Sequence, residues 1–191
     1  MILTPDTTLV LIDLQRCMAD PTRPPRNNRG AEANIERLLS AWRSAQRPVI
    51  HVRHLSLEPA SGFWTGQSGA TFQEAFLPGP GEHVADKHVT DAFASSGLER
   101  HLRVRSINDL VFVGVATDYS VEATVRSAGC LGFSATVVSD ACFTFARPDL
   151  NGVLRTADEI HLAALSNLSG EYASVRTTDE ILAARRRGTS R

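Results

Sequence analysis

Cysteine is scarce, with 3 in 191 residues, and Cys17, Cys130 and Cys142 form no Cys-x-x-Cys pair. An odd count without close spacing argues against a disulfide framework. It fits a reducing compartment, so a cytoplasmic protein is expected. No apolar run approaches the ~18–20 residues that a membrane span needs. Met1–Leu3 offers no basic and apolar leader, so no signal peptide is expected. Charge of one sign is also missing: 20 Lys+Arg face 21 Asp+Glu, a formal net charge of −1. Such a balance sets up no global field for nucleic acid or acidic membranes. The most basic run, Arg185-Arg186-Arg187, is expected to complement the C-terminal end of a last helix rather than to bind a partner.

What is present is ordinary globular material, 42% hydrophobic and 21% charged. A single domain over residues 1–191 is expected. Thr8–Asp13, Val49–Val52, Asp109–Val115 and Ser134–Ser139 are short apolar runs rich in β-branched residues and read as buried strands. Glu82–Lys87 and Tyr172–Val175 are weaker strand candidates. Between them lie helical periods. Ala31–Gln46 carries Ile35, Leu38, Leu39 and Trp42 on one face. Residues 119–129 carry Val121, Val125 and Ala128. A longer stripe runs from Val153 to Leu168 and includes His161, which reads as a core histidine. Ser96…Glu99 and Thr177…Glu180 have capping-box spacing. Residues 20–30 read as a loop. Residues 54–81 form a long Gly/Ser/Pro-rich insert with Phe63, Trp64, Phe72 and Phe76. A loop of that length is commonly functional, and its aromatics argue against disorder.

Alternating strands and helices call for a mostly parallel sheet covered on both faces, with right-handed crossovers. Ligands of such sheets bind beyond the carboxyl ends of the strands. Three strand ends there present an acid (Asp13), a cation (Lys87) and a hydroxyl (Ser120). Taken singly, an Asp caps turns, a Lys is usually solvated, and a Ser at a helix start is an N-cap.

Together the segments resemble a known family. Val10-Leu11-Ile12-Asp13-Leu14-Gln15 is similar to the opening signature of the isochorismatase-like cysteine hydrolases. Lys87-His88-Val89-Thr90-Asp91-Ala92-Phe93 is similar to their lysine motif. Gly114-Val115-Ala116-Thr117-Asp118-Tyr119-Ser120 is similar to their nucleophile motif. The resemblance runs from about Thr7 to Leu182. It implies a three-layer α/β/α sandwich with a six-stranded, mostly parallel sheet, and an Asp-Lys-Cys triad that hydrolyses amide or carbamoyl groups of small molecules. Asp13 would then be the general base, Lys87 would lower the nucleophile's pKa and orient the acid, and position 120 would hold the nucleophile. A cis peptide between Val115 and Ala116 is also implied, with the N–H groups of Ala116 and Ser120 aimed at the oxyanion. Relatives of this kind often form dimers or tetramers, so a homo-oligomer is expected. The physical logic is independent of the family. A thiol at a helix start beside a lysine is pushed toward thiolate, and a nearby carboxylate can carry its proton to the leaving amine.

Position 120 departs from the pattern, because the family's cysteine is a serine here. Three readings follow. One is a Cys→Ser replaced form that binds substrate but turns it over slowly or not at all. Another is a vinyl-ether hydrolase of the isochorismatase type, which needs Asp13 and no thiol. The third is a serine nucleophile or a non-catalytic binding protein on the same fold. Ala116-Thr117-Asp118-Tyr119 resembles the amidase branch more than the isochorismatase branch. Cys17 lies four residues beyond Asp13, but reads as a small packing residue. Cys130 and Cys142 are expected away from the chemistry.

The nicotinamidase branch of this family binds a metal near its second strand with an Asp-x-His. No Asp-x-His occurs in residues 48–66, so His51 and His54 lack the three ligands that an open metal site needs. No metal and no cofactor are expected, and nicotinamide is doubted as substrate. Gln15, His54, Phe63, Trp64, Thr117 and Tyr119 are the candidate substrate-binding residues, with Gln15 also able to brace backbone. His88 is a further residue within reach. The expected ligand is a small-molecule amide, urea-type or carbamoyl compound.

Overall fold

A computed structural model describes residues 3–188, with side chains as far as Ala184. The basic run Arg185–Arg187 lies outside the described side chains. Six strands form one parallel sheet: β1 Thr8–Ile12, β2 Val49–His54, β3 His83–Lys87, β4 Asp109–Val115, β5 Ser134–Phe143 and β8 Ser174–Arg176. Their spatial order is β3-β2-β1-β4-β5-β8. A two-residue pair, β6 Arg147–Pro148 with β7 Leu154–Arg155, forms a separate antiparallel hairpin. The helices are α1 Ala31–Ser44, α2 Ala92–Ser95, α3 Leu98–Val104, α4 Glu122–Cys130, α5 Ala157–Leu168 and α6 Thr178–Gly188. Among the described residues no helix is long and apolar enough to cross a membrane.

The three layers follow from the two-residue period of a strand. Leu9 and Leu11 of β1, with Val111, Val113 and Val115 of β4, face a core completed by Ile35, Leu38, Leu39 and Trp42 of α1 and Ile181 of α6. The intervening Val10, Ile12, Leu110 and Phe112 face the opposite core, closed by Leu98 and Leu102 of α3, Val125 and Ala128 of α4, and Leu165 and Leu168 of α5. Both faces of β1 are therefore buried, as its uninterrupted apolar run requires. The buried Trp42 Nε1–H is satisfied by the Thr7 carbonyl at 2.8 Å.

Several local expectations are corrected. The stripe that seemed to begin a helix at Val153 does not. Val153 and Leu154 are exposed, the latter in β7, and α5 starts at Ala157 behind a capping box of Thr156 and Glu159. The Asp149 carboxylate accepts from the N–H groups of Asn151 and Val153 and so turns the chain before the helix. The Ser96…Glu99 capping box is not formed. Gly97, at φ +71°, is the N-cap of α3, and Ser96 Oγ instead donates to Ala92 O and accepts from Leu98 N. The Thr177…Glu180 box is formed, with Thr177 N donating to Glu180 Oε2 at 2.8 Å and Glu180 N to Thr177 Oγ1 at 3.3 Å. β5 continues past Ser139, so Cys142 lies inside the strand rather than after it. Pairing with β4 shifts register between Phe112 and Gly114 and resumes at Gly114↔Cys142.

Gly114 sits at the junction of β1 and β4 with φ +128°. A Cβ there would lie 2.1 Å from the Ile12 carbonyl oxygen, so only glycine permits these two backbones to approach.

Away from the strand carboxyl ends, His83 at the start of β3 stacks on His101 of α3, ring centroids 3.6 Å apart. Burial, then the nearby Arg105, lowers the pKa of His83; burial, His83 and Arg105 hold His101 at about 4. His51, His54 and His161 are also shifted down, chiefly by burial. A histidine with a depressed folded-state pKa binds fewer protons folded than unfolded. Its stabilising contribution is complete above the unfolded value near 6.5 and is lost as pH falls toward 4. Thermal unfolding scans should therefore show the midpoint falling from pH 7 to pH 4, and His101→Gln should make that fall shallower. An identical slope in the variant would remove His101 from the account.

Candidate active site

The chain leaves β1 toward β2 on one side of the sheet order, and leaves β4 toward β5 on the other. The crevice where the order reverses is the usual binding position of an open parallel sheet. Asp13 follows β1 directly, in a left-handed conformation with φ +52°. Ser120 lies in a single wide turn, Thr117–Val121, that joins β4 to α4. Lys87 ends β3, in register with His54 of β2. The Val115–Ala116 peptide is cis.

Lys87 collects the site. Its ammonium donates to Asp13 Oδ2 at 2.9 Å and to Ser120 Oγ at 3.1 Å, and stands 3.2 Å from His54 Nδ1. These three partners match its three N–H donors. The lysine and aspartate side chains are 0% and 3% exposed, so the pair is held out of water. His54 must present a lone pair to Lys87 and therefore be neutral at Nδ1. Burial, and then the Lys87 charge, push its pKa below the ordinary histidine value, in agreement with that role. Asp13 Oδ1 has no hydrogen-bond partner although it is buried. An unpartnered carboxylate oxygen is costly to bury, and it is an acceptor open to a proton or a ligand donor.

A cavity of about 330 Å³ opens over these groups. Asp13, His54, Phe63, Ala116, Tyr119 and Ser120 line it, with Lys87 behind them. Three of the candidate substrate residues do not, and each has another occupation. Gln15 braces backbone: its amide donates to His54 O and Ala70 O, both at 2.8 Å, and its carbonyl accepts from His54 N. Thr117 is buried and bonded through Oγ1 to His161 Nδ1 at 2.8 Å. Trp64 packs within its own loop, its ring against Gly66. His88 holds the Leu55 carbonyl at 2.8 Å.

Thr90 and Val115, in the lysine and nucleophile motifs, also line the cavity, and sequence reasoning missed a further group of wall residues, Met18, Arg23, Pro24, Thr144, Phe145, Ala146 and Arg147. They come from the loops 18–27 and 144–147, which are joined by Asn27 N–Thr144 O and Ala146 N–Pro25 O hydrogen bonds and an Arg26↔Phe145 bridge. Neither loop has periodicity, so only their pairing across the sheet edge could reveal them. Arg147 is ion-paired with Asp118, which also accepts from Thr144 Oγ1, and its guanidinium lies 4.5 Å from the Tyr119 ring centroid.

The other possible nucleophiles are unsuited. Burial raises the Cys17 thiol to about 11 and the Cys142 thiol to about 12, so neither forms thiolate near neutrality. Cys130 is exposed at the end of α4. A metal does not fit either. His51 Nε2 is bonded to Glu82 at 2.7 Å and His54 Nδ1 to Lys87. Among the described residues no group of three or more His, Cys, Asp or Glu is arranged to hold an ion.

Comparison with known proteins agrees with this architecture. The isochorismatase domain model matches residues 7–180, and the chain belongs to the isochorismatase family of hydrolases. A crystal structure of a member of that family from Chromobacterium violaceum superposes with a TM-score of 0.93 at 45% identity, covering 96% of both chains. The uncharacterized isochorismatase family protein YrdC of Bacillus subtilis is 33% identical over 174 residues, 91% of this chain and 93% of its own length. Nicotinamidase 3 of Arabidopsis thaliana is 26% identical over 187 residues, 91% of this chain and 85% of its own.

Proposed function

We propose that this protein's site is built to cleave a C–N bond of a small amide, urea-type or carbamoyl compound, with Asp13, Lys87 and position 120 as its triad. The observation that carries the reading is the buried Lys87 ammonium, which bonds Asp13 Oδ2 and Ser120 Oγ at once, beside an Asp13 Oδ1 with no partner. In the proposed cycle the nucleophile at 120 attacks the carbonyl carbon and its proton passes to Asp13. The N–H groups of Ala116 and Ser120 receive the oxyanion. Asp13 returns the proton to the leaving nitrogen, and ammonia or an amine departs. Water then attacks the acyl group, giving its proton to Asp13, and as the bond to position 120 breaks Asp13 returns that proton to the side chain there and the carboxylic or carbamic acid is released. The Arabidopsis relative's name describes an amidase, which supports C–N chemistry but not nicotinamide as the substrate here.

Ser120 sets the rate. A carboxylate is a far weaker base than the alkoxide that a hydroxyl must become, whereas a thiol ionises readily beside an ammonium. The chain as written therefore binds substrate and turns it over slowly or not at all. The test is ammonia release from a panel of amides, ureas and carbamoyl compounds by this chain and by Ser120→Cys. Silence of both would sink the amidase reading. The presence of Ser120 itself favours one alternative, a vinyl-ether hydrolase that needs only Asp13. Full activity of the unaltered chain on a vinyl ether would establish it.

A homo-oligomer, dimer or tetramer, is part of the proposal. Leu150, Val153 and Leu154 around the β6–β7 hairpin and Leu162 of α5 are exposed apolar side chains that contact between copies would remove from water. Light scattering should give a multiple of 20.7 kDa. A monomer at micromolar concentration would refute this part.

A further inference from the structure

The charges around the cavity do not cancel. Asp13 is matched by Lys87, and Asp118 by Arg147. Arg23, a half-buried residue of the lining, is left over. Among the described residues it has no carboxylate within ion-pairing distance. Its Nε donates to the Cys17 carbonyl at 2.6 Å, and its guanidinium lies 5.2 Å from the centroid of the Phe145 ring. The acid acting on it from nearest in sequence, Asp20, is fully exposed, and one of its oxygens is taken by the backbone N–H and hydroxyl of Thr22. Arg23 is thus fixed at Nε, against the Cys17 thiol and by an aromatic face, while its terminal nitrogens make no hydrogen bond to oxygen among the described residues. That geometry presents a planar fork matched to a carboxylate. The rest of the wall, Met18, Phe63 and Phe145 among it, is apolar and suits a short carbon skeleton.

We infer that Arg23, supported by Arg147, binds a carboxylate at the end of the substrate remote from the scissile bond. The substrate class is then a small monocarboxylate carrying an amide, ureido or carbamoyl group. This rests on the C–N hydrolase reading for the reacting end alone. A neutral ligand would cover Arg23 and leave a partly dehydrated cation unpaired, which disfavours it relative to its carboxylate counterpart.

The test uses matched pairs that differ only at the far end: succinamate and succinamide, glutaramate and glutaramide, N-carbamoylglycine and N-carbamoylglycinamide. Calorimetric titration of the unaltered Ser120 chain reads binding without turnover. At least one carboxylate should bind about tenfold or more tightly than its neutral partner. Raising the salt should weaken only the carboxylate. Arg23→Gln should abolish the preference, and Arg147→Gln should reduce it. Arg23→Lys keeps the charge without the fork and should lose about fivefold or more of it; it decides the matter if Arg23→Gln does not fold. No preference in any pair, or a preference that survives both Arg23 variants, overturns the inference. The two readings fail separately. If Ser120→Cys releases ammonia equally from both members of each pair, the subsite is wrong and the hydrolase reading stands. If carboxylates bind with the Arg23-dependent preference but Ser120→Cys cleaves none, the subsite stands and the C–N reading falls.

Discussion

Ser120→Cys is expected to raise kcat/KM for ammonia release by about 10³-fold or more. The exchange keeps the shape of the side chain and the Lys87 contact, 3.1 Å in the serine form. What changes is ionisation. The thiol sits at the head of α4, against a buried ammonium, and both features favour the anion. Among the described residues His54 is the imidazole that lines the cavity, and it faces Lys87 rather than the serine hydroxyl, which is left without a base of that strength. General-base activation contributes about 10²–10⁴-fold in such reactions, and an unactivated hydroxyl forgoes it. The effect should lie in kcat, with KM little moved, since apolar walls and rim charges are unchanged. Steady-state assays of both proteins on one cleaved substrate decide it. A gain below tenfold would mean that position 120 does not attack the substrate.

Lys87→Met is expected to cost about 3–5 kcal/mol of stability and, in the Ser120→Cys protein, nearly all activity. Removing one partner of a buried ion pair leaves the other charge uncompensated. Asp13 would be that charge, at 2% exposure and with its other oxygen already unpartnered. Asp13→Asn should also inactivate the Ser120→Cys protein, by about 10²–10⁴-fold, because the amide cannot shuttle a proton. Pairing the two substitutions separates structure from chemistry. The double variant Asp13→Asn/Lys87→Met removes both charges and should recover much of the stability that Lys87→Met loses, while activity stays absent. Urea titration reads the first quantity and ammonia release the second. Additive stability losses would show that the contact between Lys87 and Asp13 is not what stabilises the site.

Much of this molecule is legible along the chain. Leu9, Leu11 and their intervening neighbours Val10 and Ile12 are all apolar, and a short, partly β-branched run with no polar side reads as a strand buried on both faces. That determines a covered parallel sheet, and the sheet determines that Asp13, Lys87 and Ser120 emerge at one edge. The boundaries that failed did so where a side chain formed a tertiary or turn contact that no propensity encodes. Asp149 draws the chain into a turn before Val153 can join α5, and Ser96 gives its hydroxyl to Ala92 rather than to a capping box. At the site, Gln15, Thr117 and Trp64 lie near it in sequence, yet their side chains serve backbone, His161 and their own loop.

The sequence by itself determined the class of fold and the three polar residues at the strand ends, because periodicity and strand termini are local properties. Only the tertiary structure decided which residues form the walls. Arg23 and Arg147 stand more than a hundred positions apart, in loops without periodicity. They line one cavity because the loops that carry them hydrogen-bond to each other beyond the sheet edge. Whether an arginine is free to bind a ligand depends on which carboxylates surround it. That is a fact of three-dimensional neighbours: among the described residues Arg147 is ion-paired with Asp118, and Arg23 has no carboxylate within ion-pairing distance.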